Sequence, residues 1–346
     1  MIPEQLKQYQ FFRLPPPVLM IAVSLILMGV ILVFPLSITW ATRQDYSYGY
    51  ILPIFVLYVL YDRWDKIFSY FKRPGSGADY GFGSKLVSAG FGMVFVLSLL
   101  TYLLGLFIYS MTGHSGSPVF IMTFGFSWAV ISMAFFGAQF DNCGGRKSIR
   151  ERIAFVSLFV FPAFSWLIAA PVFDSVMGKL GVYLLAIVAQ VVYFIMDFLG
   201  FVVTLRQNVL EFPTGSVGVA DACSGIRSLT ACLFAGSFLA AVFLDKLWKK
   251  IALVILSMVF AFINNILRAL FLSLWAYQYG SDSISGFVHD AAGYFVMGVT
   301  VVILLMLLPL FQLSPVPKEV RIEEAKKERA RQKALETCPE YVPRKR

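Results

Sequence analysis

The sequence is short of charge. Asp, Glu, Lys and Arg make up 14% of its 346 residues, where soluble domains carry about 25%. Histidine is scarcer, at two residues, which excludes a histidine-rich metal site. The four cysteines, Cys143, Cys223, Cys232 and Cys338, show no CxxC spacing. Neither a zinc site nor a disulfide framework is expected from them. No HExxH pattern occurs, which disfavours a zinc-dependent membrane protease. No metal or cofactor is expected. The chain also lacks an evident internal repeat and a long polar domain.

What is present is apolar. Hydrophobic residues make up 58%, and the mean hydropathy is +0.75. Runs long enough to cross a bilayer recur from one end to the other. The expected fold is all-α, a polytopic transmembrane bundle of about eight spans plus one interfacial or re-entrant helix. The net charge of +9 is read as orientation of short loops in a membrane protein. It is not read as nucleic-acid binding.

The expected layout is a cytoplasmic tail over 1–17, a membrane domain over 18–312 and a basic cytoplasmic tail over 313–346. Apolar runs fall near 18–38, 50–61, 86–108, 119–140, 153–170, 180–203, 225–244, 251–277 and 287–310. Basic loops at 62–85, 146–152 and 245–250 and the basic tail put both ends inside. That requires an even number of crossings, against about nine runs. The run Leu180–Val203, which contains Gln190, Asp197 and Gly200, is expected to stop short of crossing. The alternative is that the short second run fails to cross. His114, in a tight turn, reads as a solvated loop residue, and Cys143 as a reduced cytoplasmic thiol. The segment Trp40–Pro53 reads either as an interfacial aromatic belt or as a piece of the site. Residues 203–219 alternate apolar and polar around Pro213-Thr214-Gly215, which predicts a small outer-face hairpin.

That hairpin leads into the stretch on which the functional reading rests, Ala222-Cys223-Ser224-Gly225-Ile226-Arg227-Ser228-Leu229. Cys223 stands just ahead of a long apolar helix, whose N-terminus favours a thiolate. Arg227 is four residues on, one helical turn later. Cys232, deep in the same helix, reads as a small hydrophobe. Arg268 lies inside an apolar span, where insertion costs roughly 2.5–3.5 kcal/mol, so it needs a partner or a task. Asn265 is three residues earlier, within side-chain reach. His289 opens the last span and is the histidine suited to general base chemistry near neutral pH. Cys223, Arg268 and His289 are all expected in the outer half of consecutive spans. A thiolate, a base and a fixed cation make a coherent set for acyl transfer. Cys223 would attack a peptide carbonyl, His289 would move the proton, and Arg268 would hold the oxyanion. Arg227, Asn265 and Ser224 would bind substrate or support.

At these residues the sequence resembles the exosortase/archaeosortase family of membrane cysteine transpeptidases. The resemblance is carried by Ala222–Leu229, by Asn265-Ile-Leu-Arg268 and by His289. It extends to Asp45-Tyr46-Ser47-Tyr48-Gly49-Tyr50-Ile51-Leu52-Pro53, with Tyr48 where the family often has histidine. The resemblance implies an enzyme of the cell (inner) membrane whose active site faces the periplasm or the outside. Its implied partners are exported proteins ending in a short motif of the Pro-Glu-Pro type, a transmembrane helix and a basic tail. An amine, lipid or polysaccharide acceptor would take the cleaved protein. Two other readings use the same residues. One is a transporter or scaffold of surface polysaccharide export, with Asn264, Asn265 and Arg268 lining a pathway. The other is a hydrolytic membrane protease, in which water replaces the acceptor.

Overall fold

The computed structural model of the chain describes residues 14–312 apart from 74, 78–80, 114–115, 141–145, 173, 214, 219–225, 245 and 285. The expectations for residues 1–13 and 313–346, His114, Cys143, Cys338, Cys223 and Ser224 lie outside the described residues. The described residues form ten α-helices: α1 Pro16–Thr42, α2 Leu52–Asp62, α3 Trp64–Lys72, α4 Phe82–Thr112, α5 Gly116–Gly137, α6 Ile149–Ile168, α7 Asp174–Phe198, α8 Ile226–Phe243, α9 Leu247–Tyr279 and α10 Phe287–Gln312. A tighter 3₁₀ turn interrupts α6 at Ser157–Phe159, and another 3₁₀ segment, Gln44–Ile51, leads into α2.

Seven of these helices are long and apolar enough to cross a membrane, and a shorter apolar stretch, Ser228–Phe243, lies in α8. This is the helical membrane bundle the composition demands. Helix α7 carries 21 residues of spanning character, Gly178–Phe198. Helix α2, within the short second run, has 11 residues and covers ~16 Å, about half the hydrocarbon thickness.

The chain divides into two compact units. The first holds α1 up to Ile38, α2 to α5, and α6 up to Leu167. Its pairing of α4 with α5 rests on missing side chains. A Cβ on Gly105 would lie 2.6 Å from the Met122 nitrogen, and one on Gly125 would lie 2.5 Å from that of Tyr102. Two opposed glycines let these backbones meet, which is how helices gain van der Waals contact in lipid. Tyr102 then donates to the Met28 carbonyl of α1 at 2.9 Å. Helix α3 buries Ile67, Phe68 and Phe71 on one side, against Ala138 and Phe155. Helix α6 begins with a capping box, Ser148 and Glu151 each bonding the other's backbone nitrogen.

The second unit holds Thr39–Tyr50 and Ile168–Leu313. Its first core joins Val188, Val192 and Met196 of α7 to Ala269, Leu272 and Ala276 of α9. A small antiparallel sheet, β1 Thr204–Arg206, β2 Val209–Phe212 and β3 Gly215–Gly218, lies in the order β1-β2-β3. Leu210 stands opposite both Leu205 and Val217, and all three pack into that core. The predicted hairpin is therefore present and gains a third strand. A second core ties α8, α9 and α10 through Leu239, Leu253 and Leu304. Gly236 allows α8 to sit against Ser257, whose Oγ would be 2.3 Å from a Cβ there.

Candidate active site

Helices α9 and α10 bring together two of the expected residues. Arg268 Nη2 lies 3.0 Å from His289 Nε2 and donates to the His289 carbonyl at 3.1 Å. A guanidinium can only donate, so Nε2 must accept. The neutral ring then carries its proton on Nδ1, 3.1 Å from Asp290 Oδ1. This tautomer follows from the bonding pattern. The result is a chain, guanidinium to imidazole to carboxylate, with His289 held at both nitrogens. The imidazole is about one-third exposed and the carboxylate mostly so, at 31% and 68%. Both groups are therefore within reach of solvent or a ligand.

Arg268 can reach His289 because α10 offers no side chain in between. A Cβ on Gly293 would fall 3.2 Å from Arg268 Nη2 and 3.3 Å from its Cζ. The guanidinium lies against bare backbone one turn past the histidine. Its Nε is buried without a hydrogen-bond partner among the described residues, so α10 does not saturate it.

Four residues before Arg268, Asn264 donates through Nδ2 to Thr300 Oγ1 at 2.6 Å. Thr300 passes its own proton to the Val296 carbonyl at 2.9 Å. The buried Cys232 of α8 lies close to Thr300. One side chain from each of α8, α9 and α10 thus meets below the Arg268–His289 pair. Cys232 stays the small buried residue that its sequence context suggests. Asn265 is 4% exposed, and its Oδ1 has no hydrogen-bond partner among the described residues. Arg227 belongs to the first turn of α8, which starts three residues after Cys223 in sequence.

A cavity of about 500 Å³ runs between α9 and α10, its walls including Asn264, Leu267, Arg268 and Phe271 on one side and Ala292 and Phe295 on the other. It is apolar apart from the arginine and the asparagine. Among the described residues no cluster of three His, Cys, Asp or Glu that could hold a metal ion is found.

The Trp40–Tyr50 segment packs inward. Tyr46 is buried and accepts from the Val172 nitrogen at 3.3 Å. Tyr48 donates to the Ile168 carbonyl at 2.6 Å and stacks on Phe234 of α8, ring centres 5.5 Å apart. Trp40 donates to the Ala169 carbonyl at 2.8 Å and lies where a Cβ on Gly49 would be. This segment shapes the unit that holds the site, and only Tyr50 is exposed in the manner of a belt residue. Sequence reasoning did not single out Asp290, Gly293 or Thr300. For Asp290 the signal was adjacency to His289. For Gly293 it was a glycine one turn later in an apolar helix.

Comparison with curated proteins and with solved structures gave no match. The family model for the transmembrane exosortase (Exosortase_EpsH) matches residues 40–306, which takes in Cys223, Arg268, His289 and Asp290. With spanning helices throughout and this match over most of its length, the chain is a multi-pass membrane protein that belongs to the transmembrane exosortase family.

Proposed function

We propose that this exosortase is a cysteine transpeptidase or protease. It cleaves C-terminal sorting signals of the Pro-Glu-Pro type from exported proteins, at the outer face of the cell membrane. The observation that carries this reading is the Arg268–His289 hydrogen bond backed by Asp290. A base whose tautomer is set by a carboxylate, beside a cation with uncommitted donors, suits acyl transfer.

In the resting site Arg268 occupies the lone pair of His289 Nε2. When a peptide carbonyl arrives, the Nη2 hydrogen moves to its oxygen and leaves Nε2 open. The Cys223 thiol gives its proton to Nε2 as sulfur bonds the carbonyl carbon. Arg268 then holds the oxyanion, while Asp290 stabilises the imidazolium. Collapse of the tetrahedral species breaks the C–N bond. His289 protonates the leaving amine, and a thioester remains on Cys223. Water or an amine acceptor, deprotonated by His289, attacks that thioester and frees the thiol. Arg227, Ser224 and Asn265 serve substrate binding or support.

The test is cleavage of a tagged sorting-tail protein in membranes, wild type against Cys223→Ala. The wild type should cut it, and the variant should leave it intact, because no other group supplies the nucleophile. Cutting by Cys223→Ala would remove the thiol mechanism, and no cutting by the wild type would favour a transporter or scaffold role for the polar α9 face.

A further inference from the structure

The groove between α9 and α10 has a composition that lipid tails do not satisfy. Its α9 wall runs from Asn264 to Trp275, three helical turns or ~16 Å. Leu267 and Phe295 on its two walls are 53% and 73% exposed. Such exposure is ordinary on a membrane helix facing acyl chains. The guanidinium on the wall is not, because hydrocarbon offers it no acceptor. Nη2 serves His289, and the arginine still lines the groove wall. An occupant that fits therefore brings a hydrogen-bond acceptor at the level of Arg268 and an apolar stretch beyond it. The wall residues also recur at three- and four-residue steps on both helices, the spacing at which a third helix seats its ridge. Next to Gly293, Ala292 keeps the α10 wall low and allows close backbone approach.

We propose that this groove docks the apolar helix of the substrate tail, with the peptide bond just ahead of that helix held at Arg268 and His289. The proposal rests on the sorting-signal reading above. A polypeptide supplies both parts at once: the carbonyl at the guanidinium and a side-chain ridge for the groove.

The experiment places a photo-crosslinking residue at Leu267 or Phe295 in the Cys223→Ala protein, which keeps the tail uncut. Met93, an exposed residue of α4, is the control. Crosslinks to the substrate helix from the groove positions, at least about tenfold over Met93, support the proposal. Equal yields at Met93, or lipid adducts alone in the groove, overturn it. A second variant, Ala292→Phe, fills the groove and should raise KM for the tail about tenfold with kcat within about twofold, the mark of lost uniform binding. No change in KM also overturns docking. If the wild type cuts the tail and the groove gives no crosslink, docking alone fails. If the wild type does not cut, the sorting-signal reading fails with it.

Discussion

The buried cations of the first unit and the half-buried Arg268 of the second are held in different ways. In the first, Arg63 donates to the Leu158 carbonyl and Lys147 to that of Arg73. Arg152 bonds the Phe135 carbonyl at 3.2 Å and lies 3.7 Å from the centre of that residue's ring. Burial lowers the pKa of Arg63, with Asp62 opposing the shift. These cations bond backbone and aromatic faces, which do not change during a reaction. In the second unit Arg268 reaches a histidine, a group that can gain or lose a proton, and does so only because Gly293 leaves the path open. Burial of a cation is thus a poor guide to function on its own. What its donors meet is the informative observation.

This contrast can be broken by mutation, and the largest effect should come from the arginines. Arg268→Gln should lower kcat for tail cleavage ~10²–10³-fold, the usual loss of one oxyanion donor, with normal amounts of folded protein in the membrane. Arg63→Met should do the reverse, cutting the yield of folded protein while activity per folded molecule stays within about twofold. Detergent-extracted yield measured alongside rate separates the two. Equal behaviour of both variants would erase the distinction.

Smaller effects sharpen it. Gly125→Ala forces a methyl group into the Tyr102 backbone and should cost about 1–3 kcal/mol of stability. The check is a lower Tm with cleavage unaltered at permissive temperature. Thr300→Val removes the acceptor for Asn264 and should cost about 1–3 kcal/mol. Thr300→Ser, which keeps the hydroxyl, should restore most of that. Failure of serine to rescue would show that the methyl contact, not the three-helix polar meeting point, matters. Tyr48→Phe loses the bond to Ile168 but keeps the Phe234 stack. Its expected cost, about 0.5–1.5 kcal/mol, is the smallest, read as a slight fall in Tm.

The long helices were legible because an apolar run of spanning length has few other structures open to it. The Arg268–His289 pairing was foreshadowed by their placement near the facing ends of consecutive apolar runs, and by the family motif. Length alone could not decide between Leu180–Val203 and the second run. Gln190 and Asp197 suggested an interfacial or re-entrant helix, and α7 runs through both as one helix. The partnership of Asn264 with Thr300 was hidden, since the two are 36 residues apart and only packing of α9 on α10 aligns them. Gly293 was hidden for a similar reason: its role lies in what is absent beside a side chain from another helix. The third strand escaped because the arm before Pro213 read as one strand, whereas a turn at Gln207-Asn208, with Gln207 at a φ of 55°, folds it into β1 and β2.

The most direct test of the account is to trap the acyl-enzyme. Wild-type protein in membranes, mixed with a tagged tail substrate and quenched in acid, should carry the upstream part of that substrate as a thioester. Mass spectrometry should place it on the peptide containing Cys223, and hydroxylamine should release it. An adduct on Cys232, or continued cleavage with no adduct in a protein that lacks Cys223, would contradict the account.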